Sequence, residues 1–310
     1  MSPNNDIHML HRRRFIQGLA ASTVLTALHQ IAPATPATRK KILVFTRSQN
    51  FQHDVVKLEH GTCLVHEIWK SLGKKNGFDV ECTKDGRIFE RDTLAHFDAF
   101  FFFTTGNLVL EKCDDGSPPM SVEGKSELLK AIESGKGFIG SHCASDTFHS
   151  AGDQTKSQSA NELDPFIQML GGEFIKHGPQ QIAKMRIVSA DFPGLPKVNE
   201  FSLHEEWYSL KNFANDIHVL LAQETARMTG PEYQRPNYPA TWVRRHGRGN
   251  VYYTSLGHRD DVWTNPLFQE MLVGAVQWVT GQARFDVRPN LNTVTPQAAT
   301  MPPLHAEQKK

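Results

Sequence analysis

The chain of 310 residues has no surplus of either charge, only 4 cysteines and no long apolar segment. Each scarcity removes a class of protein. Lys+Arg 34 against Asp+Glu 33 leaves a formal charge of +1. With no basic stripe interleaved with aromatics in the body of the chain, nucleic acid is not the expected partner. No apolar run approaches the roughly 20 residues that a stable membrane span needs. Cys63, Cys82, Cys113 and Cys143 are too dispersed to form a recognisable disulfide framework. Neither an H-E-x-x-H helix nor a paired C-x-x-C occurs, so spacing alone announces no metal site. There is no internal repeat, and no nucleotide cofactor is expected.

What is present fits one large α/β domain with tails. Apolar residues make up 39% and charged residues 22%, enough to build a sizeable core. Histidine is abundant at 15 residues, and imidazole is both the near-neutral acid or base and a common metal ligand. At the amino terminus, Arg12-Arg13-Arg14-Phe15-Ile16-Gln17 precedes the uncharged stretch Gly18 to Ile31 and an Ala/Pro/Thr-rich linker. This order resembles a twin-arginine signal peptide. Residues 1–38 are therefore expected to be signal and linker, recognised by the twin-arginine translocation machinery and directing the protein to the periplasm. A disordered tail or a retained anchor is the alternative. Because that route carries folded proteins, often with a cofactor already inserted, it favours a cofactor-containing protein.

The body opens with the short apolar run Lys41 to Thr46, a polar loop at Arg47 to Asp54 and a helical stretch from about His60 to Lys75. Strands are expected at Asp79 to Thr83 and Phe97 to Phe103, and helices at Asp92 to His96 and Val122 to Ser134. Unbroken apolar strands alternating with helices indicate a parallel sheet covered on both faces. Gly135 and Gly137 lead into a strand ending at Gly140, Gly152 to Ala160 forms a surface loop able to gate a nearby site, and Gly171-Gly172 stops the helix that begins at Pro165. From Ile182 the pattern turns to strands, with His246-Gly247-Arg248-Gly249 as a hairpin turn. Pro266 to Thr280 is an amphipathic helix, and 284–310 is expected to be a loosely ordered tail.

Chemistry is expected where Gly140 to His149 reads GSHCASDTFH. A strand ending in a sharp turn presents one side chain at the carboxyl edge of the sheet, where open α/β folds bind ligands. Here that side chain is His142. His53, just past the first strand, and His258, just past Val251 to Ser255, occupy comparable edge positions. Three or four histidine and carboxylate ligands converging there would hold zinc or manganese, whereas isolated imidazoles would bind substrate or cap backbone. Asp146 can cap a helix or orient an imidazole. Cys143 reads as a buried structural thiol rather than a nucleophile. In Leu203 to Tyr208, alternation along a single strand would place His204, Glu206 and Tyr208 on one face and Glu205 and Trp207 on the other. Glu206 could then serve as base, metal ligand or acceptor. His177 follows a glycine stop. Tyr208, Trp263 and Arg259 are the remaining candidates for contact with a sugar, core packing being the default for aromatics.

Five blocks in order, FQHD at Phe51 to Asp54, GSHCASDTF at Gly140 to Phe148, LGGEFIKH at Leu170 to His177, EEWY at Glu205 to Tyr208 and PATWVRRHGRGNVYYTSLGH at Pro239 to His258, resemble the ThuA-like (trehalose utilisation) family. That family lies within the class I glutamine amidotransferase-like superfamily, and the resemblance covers about Lys41 to Gly281. It implies a ThuA-like domain over 39–283 with a flavodoxin-like three-layer sandwich and a mainly parallel central sheet. His142 stands where amidotransferases carry their nucleophilic cysteine, and Cys143 lies one position late. Glutamine hydrolysis is therefore not expected. The resemblance further implies carbohydrate catabolism on a small-molecule glycoside or 3-keto-sugar. A keto group acidifies the adjacent C–H, so acid–base chemistry at His142, Glu206 and Asp146, with His177, Tyr208, Trp263 and Arg259 on the substrate and a divalent metal at His53, His142 and His258, is the expected site. A non-catalytic sugar-binding or accessory protein is the alternative. Oligomeric state is left open.

Overall fold

A computed structural model describes residues 39–304; the expected signal segment, 1–38, and residues 305–310 lie outside the described residues. Eleven strands follow one another as β1 (Lys41–Phe45), β2 (Asp79–Thr83), β3 (Ala99–Phe102), β4 (Gly137–Ser141), β5 (Glu173–His177), β6 (Gln181–Ile187), β7 (Glu200–Glu205), β8 (Tyr208–Lys211), β9 (His218–Glu224), β10 (Tyr238–His246) and β11 (Gly249–Thr254). The helices are α1 (Leu64–Asn76), α2 (Arg91–Ala95), α3 (Val122–Glu133), α4 (Pro165–Leu170), α5 (Asp260–Thr264), α6 (Pro266–Val279) and α7 (Leu291–Val294). Helix boundaries follow local chemistry: Ser121 caps α3, Asp164 with Pro165 opens α4, and Gly171 ends α4 in the left-handed region at φ 84°.

Nine strands form one sheet in the order β2-β1-β3-β4-β11-β10-β9-β6-β7, while β5 and β8 pair as a separate ribbon. The pairings from β2 to β11 are parallel and those from β11 to β7 antiparallel. The sheet is therefore mixed, not mainly parallel. The hairpin at 246–249 returns β11 beside β10, and β9, β6 and β7 extend that side of the sheet in antiparallel pairing. Burial reports the change. β1 and β3 bury nearly every residue, being covered on both faces, whereas β6 alternates buried with half-buried residues and β7 exposed with half-buried ones.

Adjacent residues of β3 point to opposite faces. Phe101 packs on Trp69 of α1 with ring centroids 4.5 Å apart, and Phe102 faces Phe166 of α4 at 5.9 Å. Helices thus cover both sides of the parallel half. Gly137 lets α6 approach β4, since a Cβ there would lie 2.8 Å from Val279.

The carboxyl edge of β1 is clamped from below. Arg47, fully buried, donates to the carbonyls of Leu108 (3.0 Å), Leu110 (2.8 Å) and Ser117 (3.3 Å). Lys84 bridges the Thr46 carbonyl (2.7 Å) and the Asp115 carboxylate (2.9 Å), and Asp115 also accepts from the Ser48 amide (2.8 Å). These bonds fix the loop that carries His53. Within the described part of the expected tail, 284–304, the chain is anchored to the domain. Asn290 bonds both backbone groups of Val219, Arg186 donates to Val294 and Arg235 to Ala298, and Leu291 and Ala298 are buried. Its Pro and Thr content had hidden these anchors. No helix among the described residues is long and apolar enough to cross a membrane.

Asp115→Ala strands the Lys84 ammonium in a buried site and should cost ~3–5 kcal/mol in denaturant unfolding. Adding Lys84→Met to it should recover part of that loss.

Candidate metal centre

Four strand ends deliver the site. His53 lies in the loop after β1, His142 follows β4, His258 follows β11, and Glu206 occupies the break between β7 and β8. One ligand atom from each lies within 4.8 Å of all the others. The Nε2 of His142 stands 3.3 Å from Nδ1 of His258 and 3.6 Å from Oε1 of Glu206, which is 3.2 Å from His258 Nδ1. Ligands at tetrahedral angles on bonds of about 2.0–2.1 Å stand roughly 3.3 Å apart, so this spacing fits one shared ion.

Backbone geometry aims the central imidazole. His142 has φ 46°, in the left-handed region that costs a non-glycine residue about 1 kcal/mol or more. Its carbonyl is held by Tyr253 Oη (2.8 Å) and Ser145 Oγ (3.2 Å). Its Nδ1 is 2.9 Å from the Ser255 carbonyl. A carbonyl only accepts, so Nδ1 carries the hydrogen and Nε2 offers its lone pair to the cluster. His53 is buried with no hydrogen-bond partner at Nδ1, an arrangement that ordinarily calls for a ligand or water.

Burial, reinforced by the neighbouring histidines, holds the His53 pKa well below the usual range. Burial also lowers His142, against the opposing pull of Glu206. For Glu206, burial is outweighed by the attraction of the neighbouring His142 and His258 imidazoles, and its pKa falls well below the carboxylate range. His258 is raised, because Glu206 outweighs burial. Two imidazoles that disfavour protonation beside an anionic carboxylate suit a divalent cation.

Sequence reasoning missed the support. Leu203 to Tyr208 is not one strand: β7 ends at Glu205, and β8 starts at Tyr208 in the other sheet. His204 is consequently exposed, away from the cluster, while Glu205 turns inward. Fully buried, Glu205 accepts from the amides of Glu206 (2.8 Å), Gly257 (2.9 Å) and His258 (3.2 Å), tying two ligand-bearing segments together. Burial, only partly offset by these amides, pushes its pKa up to about 7. The EE pair was visible in the sequence; that both members turn inward was not.

Two cavities meet the cluster and share Phe51 on their rims. The larger, about 590 Å³, is lined by His53, Asp146, His149, His177, Glu206 and Tyr208 among others. The smaller, about 370 Å³, is bordered by His258, Arg259 and Asp260. His177 is 46% exposed, with Nδ1 3.4 Å from Glu206 Oε2. Tyr208 packs its ring on His142 at 3.9 Å. Arg259 is engaged with Asp261 and Gln180. Asp146 orients the imidazole of His149, not of His142. Trp263 cannot meet a sugar: it is fully buried against Phe101, Phe103 and Phe268, and its Nε1 donates to the Gly257 carbonyl at 2.7 Å, bracing the turn before His258. Cys143 is buried, and burial drives its thiol pKa well above the usual value. All four cysteines are free.

The class is thus an open α/β protein with a buried cluster of three histidines and a carboxylate at the carboxyl edge of its parallel strands. Within that class the chain belongs to the ThuA family, whose model, described as trehalose utilisation, matches residues 41–279. A protein described as ThuA-like from Bacteroides uniformis is similar in structure, with a TM-score of 0.57 and 19% identity over 80% of this chain and 95% of that one. Another from Parabacteroides merdae has a TM-score of 0.52 and 14% identity over 80% and 92%. At such identities the likeness speaks to the fold alone. No curated protein matches the sequence.

Glu205 binds its proton more tightly folded than unfolded, so its contribution to stability falls as pH rises from about 4.5 to 7. Glu205→Gln should therefore destabilise the chelator-stripped protein most at pH 5. Its deficit relative to wild type should narrow by up to about 3 kcal/mol at pH 8 in urea unfolding.

Proposed function

We propose that this ThuA-family protein is an exported, periplasmic enzyme of carbohydrate catabolism that acts on glycosides or 3-keto-sugars at a divalent metal centre. The observation that carries the reading is the convergence of His53, His142, His258 and Glu206, with an unpartnered imidazole nitrogen, beside a cavity of about 590 Å³ lined with polar side chains. The order β2-β1-β3-β4-β11 of the parallel half supports the flavodoxin-like, amidotransferase-like assignment. The arginine-rich segment before Gly18 supports export. Glutamine hydrolysis forms no part of the reading, since Cys143 is buried and its thiol is held protonated.

His53, His142, His258 and Glu206 would hold the cation, with zinc and manganese the ions this donor set suits. When bound, it supplies Lewis-acid polarisation of a sugar carbonyl or hydroxyl oxygen. This assigns Glu206 to the ligand set and moves proton handling outward. His177, partly exposed and within 3.4 Å of Glu206, takes the proton from the carbon beside the 3-keto group. The resulting enolate expels the glycosidic oxygen, which leaves with a proton returned from the same imidazolium. Tyr208 packs on His142 and walls the cavity.

Metal analysis of the folded protein by inductively coupled plasma mass spectrometry should find close to one divalent ion per chain, lost in His142→Ala and Glu206→Ala variants that keep the wild-type circular dichroism. Absence of metal after non-chelating purification would move His142 and Glu206 to metal-free acid–base roles. Across a panel of disaccharides and their 3-keto forms, His177→Ala should lower kcat by about 100-fold or more while metal content stays constant. Saturable binding with no product would favour the accessory, sugar-binding reading instead.

A further inference from the structure

Beside the metal cluster, His149 stands between two carboxylates. Its Nε2 meets Asp146, on the same short 3-10 turn as His142, and its Nδ1 lies 3.0 Å from Oε1 of Glu173 on β5. Carboxylate oxygens only accept, so a ring bonded to both through both nitrogens carries two hydrogens and a positive charge. Glu173 is buried and pinned by the Ser150 amide (3.0 Å) and Asn212 Nδ2 (2.7 Å), with the buried Lys211 ammonium 4.0 Å behind it. Burial opposes the charged imidazole, but Asp146 and then Glu173 outweigh it and raise the His149 pKa to about 9.

We propose that Glu173, His149 and Asp146 form a fixed charge relay in which His149 is a positioning residue, holding the Asp146 carboxylate in the wall of the larger cavity to accept a hydroxyl of a polyol ligand. Asp146 and His149 both line that cavity. Among the described residues only Oδ1 of Asp146 has a protein hydrogen bond, which leaves Oδ2 for the ligand. Asp146 shares its turn with His142, and Glu173 shares its strand with His177. The relay therefore ties the metal-binding turn to the ribbon that carries the proton-handling imidazole. A hydroxyl donating to an ionised acceptor makes one of the stronger hydrogen bonds, so the wall has a preferred ligand chemistry as well as a shape.

The ligand part rests on the reading of the cavity as a sugar site; the protonation part does not. Histidine 15N correlation spectra at pH 8, assigned with His149→Gln, should show both ring nitrogens of His149 protonated. Glu173→Gln and Asp146→Asn should each remove that signature. A neutral His149 at pH 8 overturns the relay. Trehalose binding, measured by calorimetry on metal-loaded protein, should weaken about tenfold or more in Asp146→Asn and in His149→Gln. If wild type binds trehalose and both variants bind it equally well, the relay only docks the ribbon and the positioning role is refuted. If wild type binds neither trehalose nor any other member of the panel of disaccharides and their 3-keto forms, the sugar reading fails and the ligand role of Asp146 fails with it, while the spectra still decide the charge.

Discussion

The hydrogen bond from His142 Nδ1 to the Ser255 carbonyl joins the ends of β4 and β11, neighbours in the parallel half of the sheet. It decides which ring nitrogen faces the cluster, and it can do so because each partner directly follows a strand buried on both faces. A shift in register between β4 and β11 would move Ser255 relative to His142 and turn the lone pair away. The position of His258, three residues beyond Ser255, is set by the same pairing. Rigid parallel strands thus provide the precision, and the loops leaving them provide the ligands.

Around that bond the protein buries several charged side chains, each held by backbone groups or by an opposite charge. Arg47 serves three carbonyls, Glu205 takes three amides, and Lys84 pairs with Asp115. Each of these groups fixes a loop at the carboxyl edge where regular secondary structure has ended. Polar side chains here replace the ladder bonds that the strands can no longer supply. The same loops carry His53, Glu206 and His258.

Much of the edge was readable in advance. His53, His142 and His258 each follow an apolar run closed by a polar or glycine-containing turn, a pattern that places a residue at a strand end without reference to distant contacts. The helices at 122–133, 165–170 and 266–279 carried their caps in the sequence. What escaped depended on tertiary partners. The break at Glu206 and Trp207 separates His204 from Glu206 and Tyr208 because β7 and β8 join different sheets, and alternation within one strand cannot reveal a change of sheet. Trp263 looked suited to a sugar, but its burial is a property of α5 lying against α1 and α6. His149 gave no signal: its partners are three residues before it and twenty-four after it. The mixed sheet was half legible, since the hairpin was seen but not the antiparallel pairing of β9, β6 and β7 beyond it.

The left-handed backbone at His142 sets what the fold would choose against what the site demands. Glycine would relax that conformation, so substitutions that favour stability pull position 142 away from histidine. The imidazole persists there only if something other than the stability of the chain keeps it. A stabilised descendant of this protein, improved for folding alone, would lose its centre at this residue first, with the sheet beneath it intact.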